Sequence, residues 1–121
     1  MSVNNSKQSQ PNNIMPTIIG RFFFKKTSNG NLIGEFSNRQ SAGIYTESSD
    51  LIGNDSGYIG KYYSTWQEEG ESLFANLEIL QKPQCNNKIF TLEWRRGGQL
   101  KFEGEGMLCD DILIGDYHSV P

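Results

Sequence analysis

Hydrophobic and polar positions alternate along most of this chain, and one short version of the alternation is written four times. It appears as Ile18-Ile19-Gly20-Arg21-Phe22, Leu32-Ile33-Gly34-Glu35-Phe36, Tyr58-Ile59-Gly60-Lys61-Tyr62 and Leu113-Ile114-Gly115-Asp116-Tyr117. Read as strands, these put the first apolar residue, the glycine and the aromatic on one face, with the second apolar residue and the charge on the other. The charges are Arg21, Glu35, Lys61 and Asp116, two of each sign, which suits an outer face where neighbouring strands pair opposite charges. Glycine weakens a strand interior, but in a strongly curved sheet it permits the bend while a nearby aromatic covers the gap. The repeat therefore predicts a small, tightly curved sheet.

The same reading places the remaining elements. A strand over about 17–25 leads through Ser28-Asn29-Gly30-Asn31, a strong hairpin signal, to a second strand over 32–37. A third runs over about 42–47, and the stretch 48–56, with its apolar pair Leu51-Ile52, reads as a short helical turn or a wide loop. The fourth, 57–66, sets Tyr58, Gly60, Tyr62, Ser64 and Trp66 on one face. Residues 72–81 are ambiguous: Leu73, Ala75, Leu77 and Ile79 alternate, while Leu73, Leu77 and Leu80 also fit a helical stripe. Strand is chosen because hairpin-like segments flank it. Strands over 88–94, 99–108 and 112–118 follow, separated by Arg95-Arg96-Gly97-Gly98 and Cys109-Asp110-Asp111.

The sum is an all-β antiparallel up-and-down meander of seven or eight strands closed into a small barrel, with a β-sandwich as the alternative. Residues 17–121 form this single domain, and residues 1–16, rich in Ser, Asn, Gln and Pro, read as a disordered N-terminal leader. The eight-strand order, the Gly-x-aromatic strands and the strand Phe90-Thr91-Leu92-Glu93-Trp94 resemble the calycin group of avidins, fatty-acid-binding proteins and lipocalins. Gly20-Arg21-Phe22 stands where lipocalins carry Gly-x-Trp, and the biotin-contacting residues of avidins do not map onto the chain. The resemblance thus implies a shape and a calyx, with no ligand named.

Composition narrows the chemistry. A net charge of −3 argues against a general grip on nucleic-acid phosphates, and no apolar run approaches the roughly 20 residues of a membrane span. The polar N-terminus lacks the apolar core of a signal peptide, so a cytoplasmic protein with free thiols at Cys85 and Cys109 is expected. One histidine and no paired Cys-x-x-Cys leave no metal site, and no cofactor is called for.

The candidate ligand-binding residues are inward-facing and mostly aromatic: Tyr58, Tyr62, Ser64, Trp66, Trp94 and Tyr117. Such side chains either fill a small barrel or line a pocket, and the end bearing Trp66 and Ser64 is the better pocket candidate. Glu103 and Glu105 share a strand face, as a glycosidase pair would, but on the solvent side. His118 near Cys109 and the acidic turn of Glu68, Glu69 and Glu71 read as surface features. The expected function is a non-catalytic barrel binding a small, mostly apolar ligand. The alternative is a protein-interaction or homo-oligomerising barrel with a filled core, using the apolar outer positions Ile59, Tyr63, Phe74, Leu80, Ile89 and Ile114. An enzyme is the least favoured of the three.

Overall fold

The computed structural model describes residues 17–53, 57–83 and 88–121. The expected leader, Cys85 and part of the 48–56 connection lie outside the described residues. Eight antiparallel strands follow one another around a closed barrel: β1 (Ile19–Lys26), β2 (Leu32–Asn38), β3 (Ser41–Gly53), β4 (Gly60–Glu68), β5 (Glu71–Gln81), β6 (Ile89–Arg96), β7 (Gln99–Cys109) and β8 (Ile112–Ser119). Closure pairs β1 with β8, from Ile19 opposite His118 to Lys25 opposite Ile112. The sheet therefore has no free edge and does not split into the two layers of a sandwich.

Alternation decides what lies inside. Phe22, Phe24, Leu32, Phe36, Tyr62, Leu77, Ile79, Leu92, Trp94 and Leu113 are buried in one core. Residues 71–81 are a strand, because Ala75, Leu77 and Ile79 are all buried at period two, a spacing no helix supplies. One expectation fails. The third strand does not stop at residue 47 but runs to Gly53, since Ser49 and Leu51 continue the inward face begun by Tyr45 and Glu47. The polar residues Glu47 and Ser49 in that face hid the alternation.

The repeated glycines work across strands. Gly20 lies opposite Tyr117, and Gly34 lies opposite Phe24. A Cβ built on Gly20 would come within 2.6 Å of the Tyr117 ring, and one on Gly34 within 2.7 Å of the Phe24 ring. Each glycine is thus the seat for a ring from the neighbouring strand, which is how the curvature and the aromatic interior are reconciled. Outside, Arg21 faces Asp116 and Lys61 faces Glu78 in register, pairing opposite charges.

Two-residue turns close the hairpins where both central residues have positive φ, at Glu69-Gly70 (51° and 83°) and Gly97-Gly98 (59° and 80°). Of the expected outer apolar positions, Tyr63, Phe74 and Ile114 are exposed. Leu80 and Ile89 are half-buried, and Ile59 packs partly against the core.

Two outcomes check this account by urea denaturation. Gly34→Ala sets a Cβ 2.0 Å from the Phe23 carbonyl oxygen, so it should lose about 1–3 kcal/mol or more. Glu69→Asn, which places a residue tolerant of the left-handed region at a turn that demands it, should gain roughly 0.5–1 kcal/mol.

Candidate functional site

The two ends of the barrel are built differently. At the end carrying the β1–β2, β3–β4, β5–β6 and β7–β8 connections, the interior is stoppered. The Tyr58 hydroxyl donates to the Asp111 carbonyl at 2.6 Å, with the Phe24 carbonyl 3.1 Å away. Tyr62 donates to the Tyr58 carbonyl at 2.8 Å. Lys26 closes the lid, its Nζ 3.3 Å from the Tyr62 hydroxyl and 5.8 and 5.5 Å from the centroids of the Tyr58 and Tyr62 rings. Burial holds the Lys26 ammonium below its ordinary pKa. Beneath the stopper, Phe24, Leu32, Leu77, Ile79, Leu92 and Leu113 fill the barrel.

The opposite end is open, and a cavity of about 30 Å³ lies inside it. That exceeds the ~10–15 Å³ needed for one water and suits the tip of a ligand. The cavity and the solvent-open funnel above it together enclose about 380 Å³. Its walls are an aromatic network. Phe36 meets Trp66 edge-on at 6.3 Å and Tyr117 edge-on at 6.1 Å. Tyr117 in turn meets Trp94 at 6.0 Å and Phe102 at 5.9 Å. Asn38, on the inward face at the end of β2, donates to the Tyr117 hydroxyl at 3.2 Å and accepts from the Gln40 amide at 3.1 Å. Burial outweighs that hydrogen bond, and with nearby Glu68 and Glu47 it pushes the Tyr117 phenol up to about 12.

Among these rings sits Glu47, only 5% exposed. It projects inward from β3 opposite Gly34, which has no side chain to oppose it. Its Oε2 accepts from the Trp94 indole at 2.9 Å and from the Ser64 hydroxyl at 2.8 Å. Ser64 in turn is hydrogen-bonded to Ser49, so two buried serines and an indole fix one oxygen of the carboxyl. The other oxygen, Oε1, accepts no hydrogen bond from the described residues. Desolvation dominates over the two hydrogen bonds and raises the Glu47 carboxyl to about 7. A second carboxylate, Glu68, stands at the mouth and accepts from the Trp66 indole at 3.1 Å.

The six residues singled out from the sequence therefore part company. Trp66, Trp94 and Tyr117 line the cavity. Ser64 lies fully buried behind Glu47, as its positioning partner. Tyr58 and Tyr62 belong to the stopper at the far end. Glu47, Asn38, Phe36 and Phe102 were not anticipated. Extending the Tyr45, Glu47, Ser49, Leu51 alternation would have turned Glu47 inward, and extending Leu32, Gly34, Phe36 by one step would have done so for Asn38. Glu103 and Glu105 lie on the outer wall, where Glu103 is 3.5 Å from His118 and Glu105 pairs with Lys82. Cys109 is exposed.

No known protein family, curated protein sequence or solved structure matches the chain. The molecule is defined by its geometry: an up-and-down barrel with one sealed end and one aromatic mouth over a buried carboxyl.

The raised carboxyl sets a pH dependence. Because folding raises the Glu47 pKa from its ordinary 4.5 to about 7, the folded state binds the extra proton. Glu47's stabilisation is then complete below the unfolded value and is lost as pH rises through about 7. Relative to Glu47→Gln, which keeps the acceptor for Ser64 and Trp94, the wild type should lose on the order of 3 kcal/mol between pH 4 and 8. Parallel urea titrations of the two proteins isolate that difference; parallel curves would show that Glu47 is not proton-linked to folding.

Proposed function

We propose that this protein is a non-catalytic barrel that takes a small, mostly apolar ligand at its open end, in the manner of calycin-type barrels. The observation that carries the reading is the pairing of an aromatic-walled cavity with a buried carboxyl whose Oε1 has no partner among the described residues. A barrel that needed only a core would fill the Glu47 position with an apolar side chain, because a buried, half-satisfied carboxyl costs stability. A ligand that supplies the missing donor removes that cost on binding. The small size of the cavity means that a ligand inserts a tip and rests its remainder against the mouth.

A second reading is supported by the outer wall. Register places Phe23, Ile114, Met107 and Ile89 side by side across four adjacent strands, β1, β8, β7 and β6. Ile114 and Met107 are 47% and 56% exposed. This apolar row is continuous where scattered singles would be ordinary. A second copy of the chain is its simplest self-complementary cover. Sedimentation of wild type and Ile114→Lys separates the cases: a dimer that the substitution splits supports pairing, and a monomer throughout dismisses it.

Native mass spectrometry of freshly purified protein, repeated after denaturation, tests the binding reading. A retained small molecule, released on unfolding and lost from Trp66→Ala, is the expected result. Leu92→Ala, deep in the filled core, should lower stability by about 2–5 kcal/mol yet leave the retained mass in place. Protein with no added mass, whose Trp66 and Trp94 indole resonances respond to no compound in a soaked set of small apolar fragments, would overturn it.

A further inference from the structure

The chemistry of the cavity also selects the ligand's tip. A group entering it meets the rings of Phe36, Trp66, Trp94 and Tyr117, the carboxyl of Glu47 and, at the mouth, Glu68. Among the described residues no basic side chain lines the cavity. The arginines at that end are directed elsewhere. Arg95 pairs with Glu93 at 3.1 Å, and Arg96 donates to the Phe74 carbonyl while lying 4.9 Å over its ring. Arg39 is exposed on its turn. The rim continues in the same sign, with Glu69 and Glu71 beside Glu68.

Resting on the binding reading above, we infer that the buried tip is an alkylammonium carrying at least one N–H. A cation stripped of water needs an opposite charge and a hydrogen-bond acceptor, and Glu47 Oε1 supplies both. Aromatic rings surround the site, and an ammonium placed over a ring face is attracted to it at short range. Other tips are disfavoured by the same groups. A carboxylate or phosphate would put like charges together beside Glu47. A hydrocarbon tip would leave Oε1 unsatisfied in a dry site. The cavity of about 30 Å³ admits the ammonium and its first carbon, so an attached chain runs outward over Phe102 and Ile18. The titratable groups that share the cavity wall with Glu47 are Glu68 from β4 and Tyr117 from β8. Trp94 from β6 and Ser64 from β4 contribute neutral donors, and β2 contributes Gly34 opposite Glu47 with the uncharged Phe36 and Asn38 on the cavity wall. Glu47 must be ionised to hold the cation, so binding strengthens as the proton leaves.

The source of the ammonium is either a free amine or a lysine side chain of a peptide, and the titration distinguishes them. Indole resonances of Trp66 and Trp94 are followed in ¹H–¹⁵N spectra of the full chain at pH 8. The probes are butylammonium, butanol, butyrate and a capped Gly-Lys-Gly peptide. Butylammonium or the peptide should bind about tenfold or more tightly than butanol, with butyrate weakest. That preference should shrink toward none in Glu47→Gln and, by a smaller factor, in Glu68→Gln. It should also fall at pH 5.5, where Glu47 holds its proton. Butylammonium tighter than the peptide assigns a free amine, and the reverse order assigns a protein side chain. Butanol or butyrate binding as well as the cations overturns the ammonium assignment and leaves the binding reading standing. Indoles that respond to none of the four probes overturn the ammonium assignment, and the binding reading falls with it when native mass spectrometry also finds no retained molecule.

Discussion

The architecture depends on a steric constraint: a bulky ring on one strand can lie over its neighbour only where that neighbour has no Cβ. Tyr117 settles between Gly20 on one side and Gly104 on the other, and Phe24 settles over Gly34. Eight strands that each carried a side chain at every inward position would crowd a barrel this narrow. With glycine and aromatic residues paired across the hydrogen-bonded register, the sheet bends enough for β8 to meet β1, and the rings become the core. Closure and interior composition are thus one decision, taken by the same residues.

That decision also creates room for a charge. Gly34 faces Phe24 on one flank and Glu47 on the other. The glycine that accepts a ring from β1 therefore leaves space beside the carboxyl on β3. Below Glu47 and its two serines the barrel is packed with Leu77, Leu92 and Leu113, and above it lies the aromatic mouth. The carboxyl sits at that boundary with one oxygen committed to Ser64 and Trp94. Fixing a single oxygen through an indole and a serine pair gives the other a defined direction, as a positioned recognition group requires. The neighbouring Tyr117 phenol, resistant to ionisation and tied to Asn38, adds a neutral wall.

Much of this was legible in the chain and some was not, for specific reasons. The glycine-aromatic repeat announced curvature because it combines two signals at fixed spacing, and the alternation of Ala75, Leu77 and Ile79 outweighed good helix-forming composition. The aromatic residues of the mouth were visible as inward positions and the Trp66 end was the expected pocket end, but the separation of Tyr58 and Tyr62 from it was not visible. Whether Tyr62 and Trp66, on one face of one strand, share a pocket depends on how deep the packed layer between them is, and that layer comes from Leu77, Leu92 and Leu113 on other strands. Glu47 was hidden by its identity. A charged residue near small polar ones reads as the end of a strand, and only tertiary burial distinguishes a strand that continues through Glu47, Ser49 and Leu51 from a loop.

The sealed end has a kinetic corollary. With Tyr58, Tyr62 and Lys26 stoppering one side, anything reaching Glu47 travels through the mouth and leaves by the same door. A guest seated as proposed would share that single passage with the proton of Glu47, so the two exchanges would be coupled in time as well as in affinity.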